Sequence, residues 1–110
     1  MTGDERRAIE ADCERLIKRA INLGDAHDWA AVAALYSEDA RFARPSRAQR
    51  HVVANVVVDA EDESHARAFS VIVLYQGEAA PLVGTYTDRL LRTSGGWRFA
   101  ERVGGLDFRP

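Results

Sequence analysis

The spacing of apolar residues changes at Ser37, and this change constrains the fold more than any other feature of the chain. Before it, apolar residues recur at steps of three and four, which is the pattern of one face of an amphipathic helix. They are Ile9, Cys13, Leu16, Ile17, Ala20 and Ile21. After it, β-branched and aromatic residues dominate segments bounded by turn-forming residues, which is typical of strands. Helices followed by strands predict an α+β domain with a helical hairpin packed on one face of a sheet.

Capping residues predict where the helices begin and end. Thr2 and Glu5 have the spacing of a capping box, and Gly24 is the residue type that commonly ends a helix in a left-handed conformation. Asp28 predicts the N-cap of a second, shorter helix. The apolar side of that helix comprises Trp29, Val32, Ala33, Leu35 and Tyr36. Both tryptophans, Trp29 and Trp97, are predicted to be packing anchors.

Strands are predicted at residues 40–43, 49–59, 65–75, 82–92 and 97–103. The acidic segment 59–64 and the sequence Thr-Ser-Gly-Gly at 93–96 predict turns between neighbouring strands. Long strands joined by short turns predict a strongly twisted, mostly antiparallel meander. A chain of 110 residues without internal repeats predicts a single domain over residues 1–110.

Composition excludes several classes of function. A net charge of -2 argues against a dedicated nucleic-acid binder. The single Cys13 excludes an internal disulfide, and no histidine spacing or glycine-rich loop indicates a metal, nucleotide or phosphate site, so no cofactor is expected. With no membrane-spanning stretch and no signal-peptide pattern, a cytoplasmic protein without membrane contact is predicted. Arginines at 41, 44, 47 and 50 surround Pro45, and they form either an anion-binding cluster or an exposed loop edge.

The strand at 49–59 carries two polar residues that need an explanation. His51 and Asn55 share one face with Val53 and Val57, and the opposite face is also apolar. Such a strand is predicted to be covered on both sides, by helices on one and by a partner subunit on the other. Buried polar side chains require hydrogen-bond partners.

Five segments carry a resemblance to a known family: LGDAHDW from residue 23, ALYSEDARF from 34, RHVVANVVVD from 50, GTYTDRL from 84 and GGWRFAER from 95. In this order they resemble SnoaL-like proteins of the nuclear transport factor 2-like superfamily over nearly the whole chain. The resemblance implies a conical α+β barrel, in which a curved sheet wraps around a pocket closed by helices. It also implies homodimers formed through the outer face of the sheet.

The chain is also similar to the dehydratases and dehydrochlorinases of that superfamily at two positions. Asp25 matches an aspartate before the second helix, and His51 matches a histidine at the start of the central strand. The resemblance implies a dyad in which His51 removes a proton from carbon and Asp25 orients it. An imidazole suits this role because its ordinary pKa is about 6.5. Asn55, Tyr75 and Tyr36 are candidate substrate-binding residues.

Each of these residues also has a structural interpretation. Asp25 can bond backbone amides in its turn, His51 can be a satisfied core histidine, and the tyrosines can be core or rim aromatics. Only eight residues separate Phe42 from His51, where family members usually insert a third helix, so a shallower or more open pocket is expected. The resemblance implies a cofactor-free lyase or isomerase acting on a small hydrophobic molecule. The alternative is a non-catalytic ligand-binding or dimeric assembly module.

Overall fold

The computed structural model describes residues 1–43 and 50–107. Within these two ranges, two helices come first and five strands follow, which confirms the predicted α+β class. The helices are α1 (Gly3–Asp25) and α2 (Trp29–Ala33). The strands are β1 (Tyr36–Ala43), β2 (Arg50–Ala60), β3 (His65–Tyr75), β4 (Leu82–Thr93) and β5 (Gly96–Leu106).

Helix α1 begins as its capping residues predict. The Thr2 hydroxyl accepts a hydrogen bond from the Glu5 amide at 3.0 Å. All six residues of the predicted apolar stripe are buried against the sheet. Burial raises the pKa of the Cys13 thiol to about 12, which is the behaviour of a core residue.

The end of α1 differs from the prediction. Gly24 lies within the last helical turn, and the left-handed residue is His27, whose φ is 59°. The amide of His27 donates to the Gly24 carbonyl at 3.0 Å, so the chain completes one more turn before it reverses. Histidine tolerates this conformation better than β-branched residues do.

Helix α2 is one short turn capped by Asp28, whose carboxylate accepts from the Ala31 amide at 3.2 Å. It ends earlier than predicted because the chain enters β1 at Tyr36, where it pairs in parallel with Phe99 of β5. A contact between residues so distant in sequence is invisible to local patterns. Trp29 is also not the predicted packing anchor: it is 55% exposed, and its ring stacks on His27 with centroids 5.5 Å apart.

The strands form one open sheet in the order β1-β5-β4-β3-β2. Strands β2 to β5 are an antiparallel meander, as predicted, and β1 adds a parallel pairing with β5. Helix α1 packs across one face, and the largest cluster of buried side chains lies between helix and sheet. Its members include Ile9, Cys13, Leu16, Ile17, Leu90, Trp97 and Phe99.

A bulge in β2 overturns the predicted face of Asn55. Between the pairs Ala54–Val71 and Val57–Phe69, two residues of β2 oppose one residue of β3. Asn55 is the first of the two and has a φ of 50°, a left-handed conformation that asparagine adopts more readily than most residues. The extra residue inverts the alternation, so Val56 packs against the core while Asn55 is exposed.

Among the described residues, neither helix packs on the opposite face of the sheet. Strand β2 was expected to be covered on both sides, and α1 covers only one. Large apolar side chains on the other face are between 45% and 54% exposed. They are Val52, Val57, Phe69 and Tyr75. We call this surface the outer face.

Candidate active site

A cavity of about 370 Å³ lies between α1, α2 and the sheet. Most of its lining is apolar, and its polar side chains come from β1, β2, β4 and β5. The lining residues are Ala20, Ile21, Gly24, Trp29, Val32, Ala33, Tyr36, Ser37, Ala40, His51, Tyr86 and Arg102. A volume of this size suits a small organic molecule.

Asp25 and His51 meet at this cavity. Oδ1 of Asp25 lies 2.6 Å from Nδ1 of His51, and the two side chains are 1% and 5% exposed. The same carboxylate accepts from the backbone amide of His51, at 3.2 Å for Oδ1 and 3.0 Å for Oδ2. The last turn of α1 supplies the acid and the first residues of β2 supply the imidazole, so two elements far apart in sequence build the pair.

The carboxylate fixes the tautomer of the imidazole. An ionised carboxylate only accepts hydrogen bonds, so the proton of a neutral His51 ring resides on Nδ1. Nε2 is then the basic nitrogen, and Asp25 stabilises the imidazolium that forms when Nε2 takes up a proton. This pair can therefore perform general-base chemistry.

The predicted arginine cluster is divided in the structure. Nε of Arg50 lies 3.5 Å from Oδ2 of Asp25, with a side chain that is 72% exposed. Arg41 instead pairs with Glu101 at 3.3 Å. Arg44 and Arg47 lie outside the described residues, as does most of the segment that replaces the expected third helix.

Of the predicted substrate-binding residues, only Tyr36 lines the cavity. Asn55 is exposed at the bulge. Tyr75 pairs with Arg50, one position beyond the pair of His51 with Leu74, and neighbouring pairs along a ladder face opposite sides of a sheet. Tyr75 consequently belongs to the outer face and is 49% exposed. Neither Asn55 nor Tyr75 therefore lines the cavity beside His51.

The structure places a second polar group at the cavity that sequence reasoning missed. Arg102 of β5 and Tyr86 of β4 both line it and are 2% and 5% exposed. The guanidinium carbon of Arg102 lies 3.9 Å from the centroid of the Tyr86 ring, a cation–π contact. The Tyr86 ring occupies the space that a side chain at Gly104 would need, so a glycine is required there.

Asp88 is the counter-ion of Arg102. Oδ1 of Asp88 lies 3.0 Å from Nε of Arg102, with both side chains almost fully buried. Among the described residues, neither carboxylate oxygen has a well-aligned hydrogen bond, and Nη2 of Arg102 has none either. Burial raises the pKa of Asp88 to about 6 against the opposing attraction of Arg102. The pair is therefore poorly satisfied.

Arg102 also hydrogen-bonds the Tyr36 hydroxyl. Burial raises the pKa of Tyr36 above its ordinary value, despite the nearby guanidinium. A neutral phenol beside a guanidinium can donate a hydrogen bond to an oxygen that acquires negative charge. The cavity thus combines a basic nitrogen with a cationic, donor-rich group.

A sequence signal for this second group existed. Tyr86, Asp88 and Leu90 alternate along one strand, which places Asp88 on the buried face. A buried aspartate needs a cation, and Arg102 lies on the buried face of the next strand. The hairpin at 93–96 sets the register that brings these two residues into the pair observed between β4 and β5.

Within residues 1–43 and 50–107, no group of three or more histidine, cysteine, aspartate or glutamate side chains is arranged to hold a metal ion. Within the same ranges, no helix is both long enough and apolar enough to cross a membrane.

The class of this protein is defined by helices packed on an open sheet, with a cavity between them. Comparison with solved structures identifies this architecture as an NTF2-like protein with a cystatin-like fold. A cystatin-like NTF2-like protein from Novosphingobium aromaticivorans superposes with a TM-score of 0.77 at 20% identity, covering 91% of this chain and 82% of that one. A scytalone dehydratase-like protein from the same organism gives 0.76 at 21% identity, covering 89% and 83%. A hexachlorocyclohexane dehydrochlorinase from Novosphingobium barchaimii gives 0.81 at 14%, covering 97% and 92%.

The family follows from the sequence itself. The model of the SnoaL-like domain matches residues 43–103, more than half of the chain. The chain therefore belongs to the SnoaL-like family, as the sequence resemblance predicted. No curated protein matches the sequence.

Proposed function

We propose that this protein is a cofactor-free lyase or isomerase that uses His51 as a general base and Asp25 as its orienting partner. The observation that carries the proposal is the 2.6 Å contact between Nδ1 of His51 and Oδ1 of Asp25 beside an apolar cavity. Membership of the SnoaL-like family and the fold shared with a dehydrochlorinase support the same class of reaction.

The proposed reaction is a proton abstraction from carbon. Nε2 of His51 takes the proton, and the electron pair of the broken C–H bond forms a C=C bond while a leaving group departs from the neighbouring carbon with its own bonding pair. In an isomerisation, the proton returns to a different carbon. Asp25 stabilises the imidazolium, and positioned base catalysis contributes about 10²–10⁴-fold.

Arg102 and Tyr36 are the groups that would stabilise negative charge on the substrate in this proposal. Negative charge that develops on the substrate faces the guanidinium of Arg102 and the Tyr36 hydroxyl, both of which line the cavity. Removing one donor of this kind from an enzyme typically lowers turnover by about 10²–10³-fold. Substrates with a compact hydrophobic ring and one oxygen substituent suit such a cavity. No cofactor is needed for this chemistry.

We also propose a cytoplasmic homodimer formed through the outer face, without nucleic-acid or membrane partners. Phe69 and Val57 are neighbours on this face and are about half exposed, as expected for the centre of a subunit contact. Phe69→Lys should convert a dimer into a monomer in sedimentation velocity, whereas Arg7→Glu on α1 should leave the mass unchanged. A wild-type monomer at every concentration would contradict the dimer.

One observation favours the alternative, a non-catalytic binding module. Asp25 accepts from the His51 backbone amide as well as from the ring, so the carboxylate also holds the start of β2 in place. A purely structural pair would look similar. The distinction has to come from proton transfer.

The decisive experiment measures carbon–hydrogen exchange. A panel of small cyclic ketones is incubated with the protein in D₂O, and NMR follows deuterium incorporation next to the carbonyl. We expect exchange that falls at least 100-fold in His51→Ala. The matched control is His65→Ala, since His65 has a similar contact with Asp62 at 3.0 Å but is exposed.

The panel separates the two functions. Ligands that raise the melting temperature of wild type and of His51→Ala equally, with no exchange in either, would support the binding module. Exchange that survives His51→Ala would remove His51 from the mechanism. Loss of exchange in the His65 control would point to a general folding defect.

A further inference from the structure

A second concave surface lies on the other side of α2 from the active-site cavity. It is a groove of about 550 Å³ between α1, α2 and the hairpin that joins β4 to β5. Its floor is apolar, formed by Leu16, Leu23 and Leu35 with two alanines of the α2 region. We call it the arginine groove, because Arg15, Arg19, Arg92 and Arg98 also line it.

The four arginines differ from the other cations of the protein. In the described part of the chain, all remaining lysines and arginines except Arg89 have a carboxylate partner within 3.9 Å. The four groove arginines have none among the same residues. This occurs in a protein whose net charge is -2, where acids outnumber basic residues. Four unpaired guanidinium groups around one groove concentrate positive potential there.

Two of these guanidinium groups are held in place by the hairpin. Arg98 donates to the carbonyls of Trp97 and Gly95, both at 2.8 Å. Arg92 lies 5.8 Å from the centroid of the Trp97 ring and reaches the Glu63 carbonyl at 3.4 Å. Bonds to neutral carbonyls fix a guanidinium without neutralising its charge, which leaves it available to an anion.

The other two groups come from α1. Arg15 and Arg19 are four residues apart, so they lie on the same face of the helix, and both are exposed. Like charges at this spacing destabilise a helix slightly. Asp12 is the one acidic residue among the described residues that line the groove, and it forms no ion pair with either arginine there. An external anion would relieve this repulsion.

We propose that the arginine groove binds a soluble phosphate-bearing amphiphile, with its phosphate among the arginines and its apolar chain or ring on the leucine floor. Guanidinium groups match phosphate oxygens through paired hydrogen bonds. The volume lies within the range of small-molecule sites, and an apolar floor beside a cationic rim suits a molecule with both kinds of surface. This site is separate from the Asp25–His51 pair and does not depend on the proposed reaction.

The test uses n-decyl phosphate below its micelle concentration, with inorganic pyrophosphate as a probe without an apolar chain. Isothermal titration calorimetry should show saturable binding of decyl phosphate to the wild type. In Arg15→Glu/Arg19→Glu we expect binding at least tenfold weaker. Arg89→Glu is the matched control, because Arg89 is exposed and also lacks a carboxylate partner but lies on the opposite face of the sheet. It should bind as the wild type does.

Further arms test the chemistry of the ligand. Pyrophosphate should bind more weakly than decyl phosphate and lose affinity in the same double variant. Asp12→Asn, which removes the one acid of the groove, should tighten both. Circular dichroism verifies that the charge-reversed proteins are folded.

Three results would overturn the proposal. Decyl phosphate that binds the double variant as tightly as the wild type would place the ligand elsewhere, for example in the active-site cavity. The absence of saturable binding would leave the groove without this ligand. Binding to vesicles of anionic lipid, with none to monomeric decyl phosphate, would make it a membrane contact instead.

Discussion

Two buried aspartates, Asp25 and Asp88, are each paired with a side chain that lines the cavity, His51 and Arg102. The two carboxylates differ in the hydrogen bonds that they accept. Asp25 accepts hydrogen bonds from the ring and from the backbone amide of His51, and Arg50 lies nearby. Asp88 faces only Arg102, at 3.0 Å, without a well-aligned hydrogen bond to either oxygen among the described residues. The Asp25 carboxylate therefore has hydrogen-bond donors beside both oxygens, whereas the Asp88 carboxylate has no well-aligned donor among the described residues.

The difference shows what each pair can do. A buried carboxylate that accepts a hydrogen bond from an imidazole can hold the ring in one tautomer. A buried carboxylate with one poorly aligned cation carries a desolvation penalty, which is why its pKa is raised to about 6. Asp25 thus fixes the orientation of the His51 ring. Asp88 keeps the Arg102 guanidinium beside the cavity, and the desolvation of its own carboxylate lowers the stability of the protein.

The largest expected effect comes from removing one partner of the poorly satisfied pair. Asp88→Ala leaves the charge of Arg102 buried without compensation, and such changes typically cost about 3–5 kcal/mol. Urea unfolding monitored by circular dichroism should show this loss in the free energy of unfolding. A change below 1 kcal/mol would mean that Arg102 is not buried as described.

A double variant separates the pair from its surroundings. Asp88→Leu/Arg102→Met removes both charges and keeps apolar volume, so we expect it to recover most of the stability lost in Asp88→Ala. It should still lose activity, because the cavity then lacks its guanidinium. Recovery of both stability and activity would exclude Arg102 from the reaction.

The pH dependence of stability is the next effect in size. The pKa of Asp88 is higher in the folded protein, about 6, than its ordinary value of 3.8, so the folded state binds the proton more tightly between these values. The contribution of Asp88 to the free energy of unfolding therefore falls as pH rises from about 4 to about 6 and is constant above that window. At about 1.4 kcal/mol per pKa unit, the fall is on the order of 2–3 kcal/mol.

Asp88→Asn isolates this contribution, because other carboxylates titrate in the same range. The difference in unfolding free energy between the wild type and Asp88→Asn should decrease across pH 4 to 6 and then level off. A difference that rises with pH would show that Arg102 lowers the pKa of Asp88 instead.

The two pairs were not equally accessible to sequence analysis. Asp25 and His51 were singled out through a resemblance to family segments, although 25 intervening residues separate them and no local pattern links the two. Asp88 and Arg102 required the register between β4 and β5, which depends on the hairpin and on a shift between Arg89 and Leu90. The meander itself was predictable, since alternation and turn residues are local properties.

Non-local effects account for the errors. Helical spacing predicts Tyr36 in a helix, because local spacing cannot reveal its pairing with Phe99. Simple alternation predicts Asn55 on the buried face, because it does not anticipate a bulge. Trp29, the first residue of α2, is 55% exposed and stacks on His27, a contact that helical spacing does not reveal.

Asp25→Asn tests the well-satisfied pair with a smaller expected effect. The amide oxygen can still accept from the His51 backbone, so we expect a loss of about 1 kcal/mol or less in stability. The amide N–H₂, however, would donate to Nδ1 and move the ring proton to Nε2. Nitrogen-15 NMR of the imidazole should show this exchange of tautomer, together with loss of carbon–hydrogen exchange activity. An unchanged tautomer would mean that Asp25 does not orient the ring.

The bulge gives the smallest effect and tests whether the Asp25–His51 pair depends on the rest of β2. Asn55→Val places a β-branched residue at a φ of 50°, which should cost about 1–2 kcal/mol, while Asn55→Gly should be neutral or slightly stabilising. Because Asp25 anchors the start of β2 directly, the nitrogen-15 signals of His51 should be the same in both variants. A changed imidazole signal in Asn55→Val alone would show that the bulge, four residues away, helps to position the base.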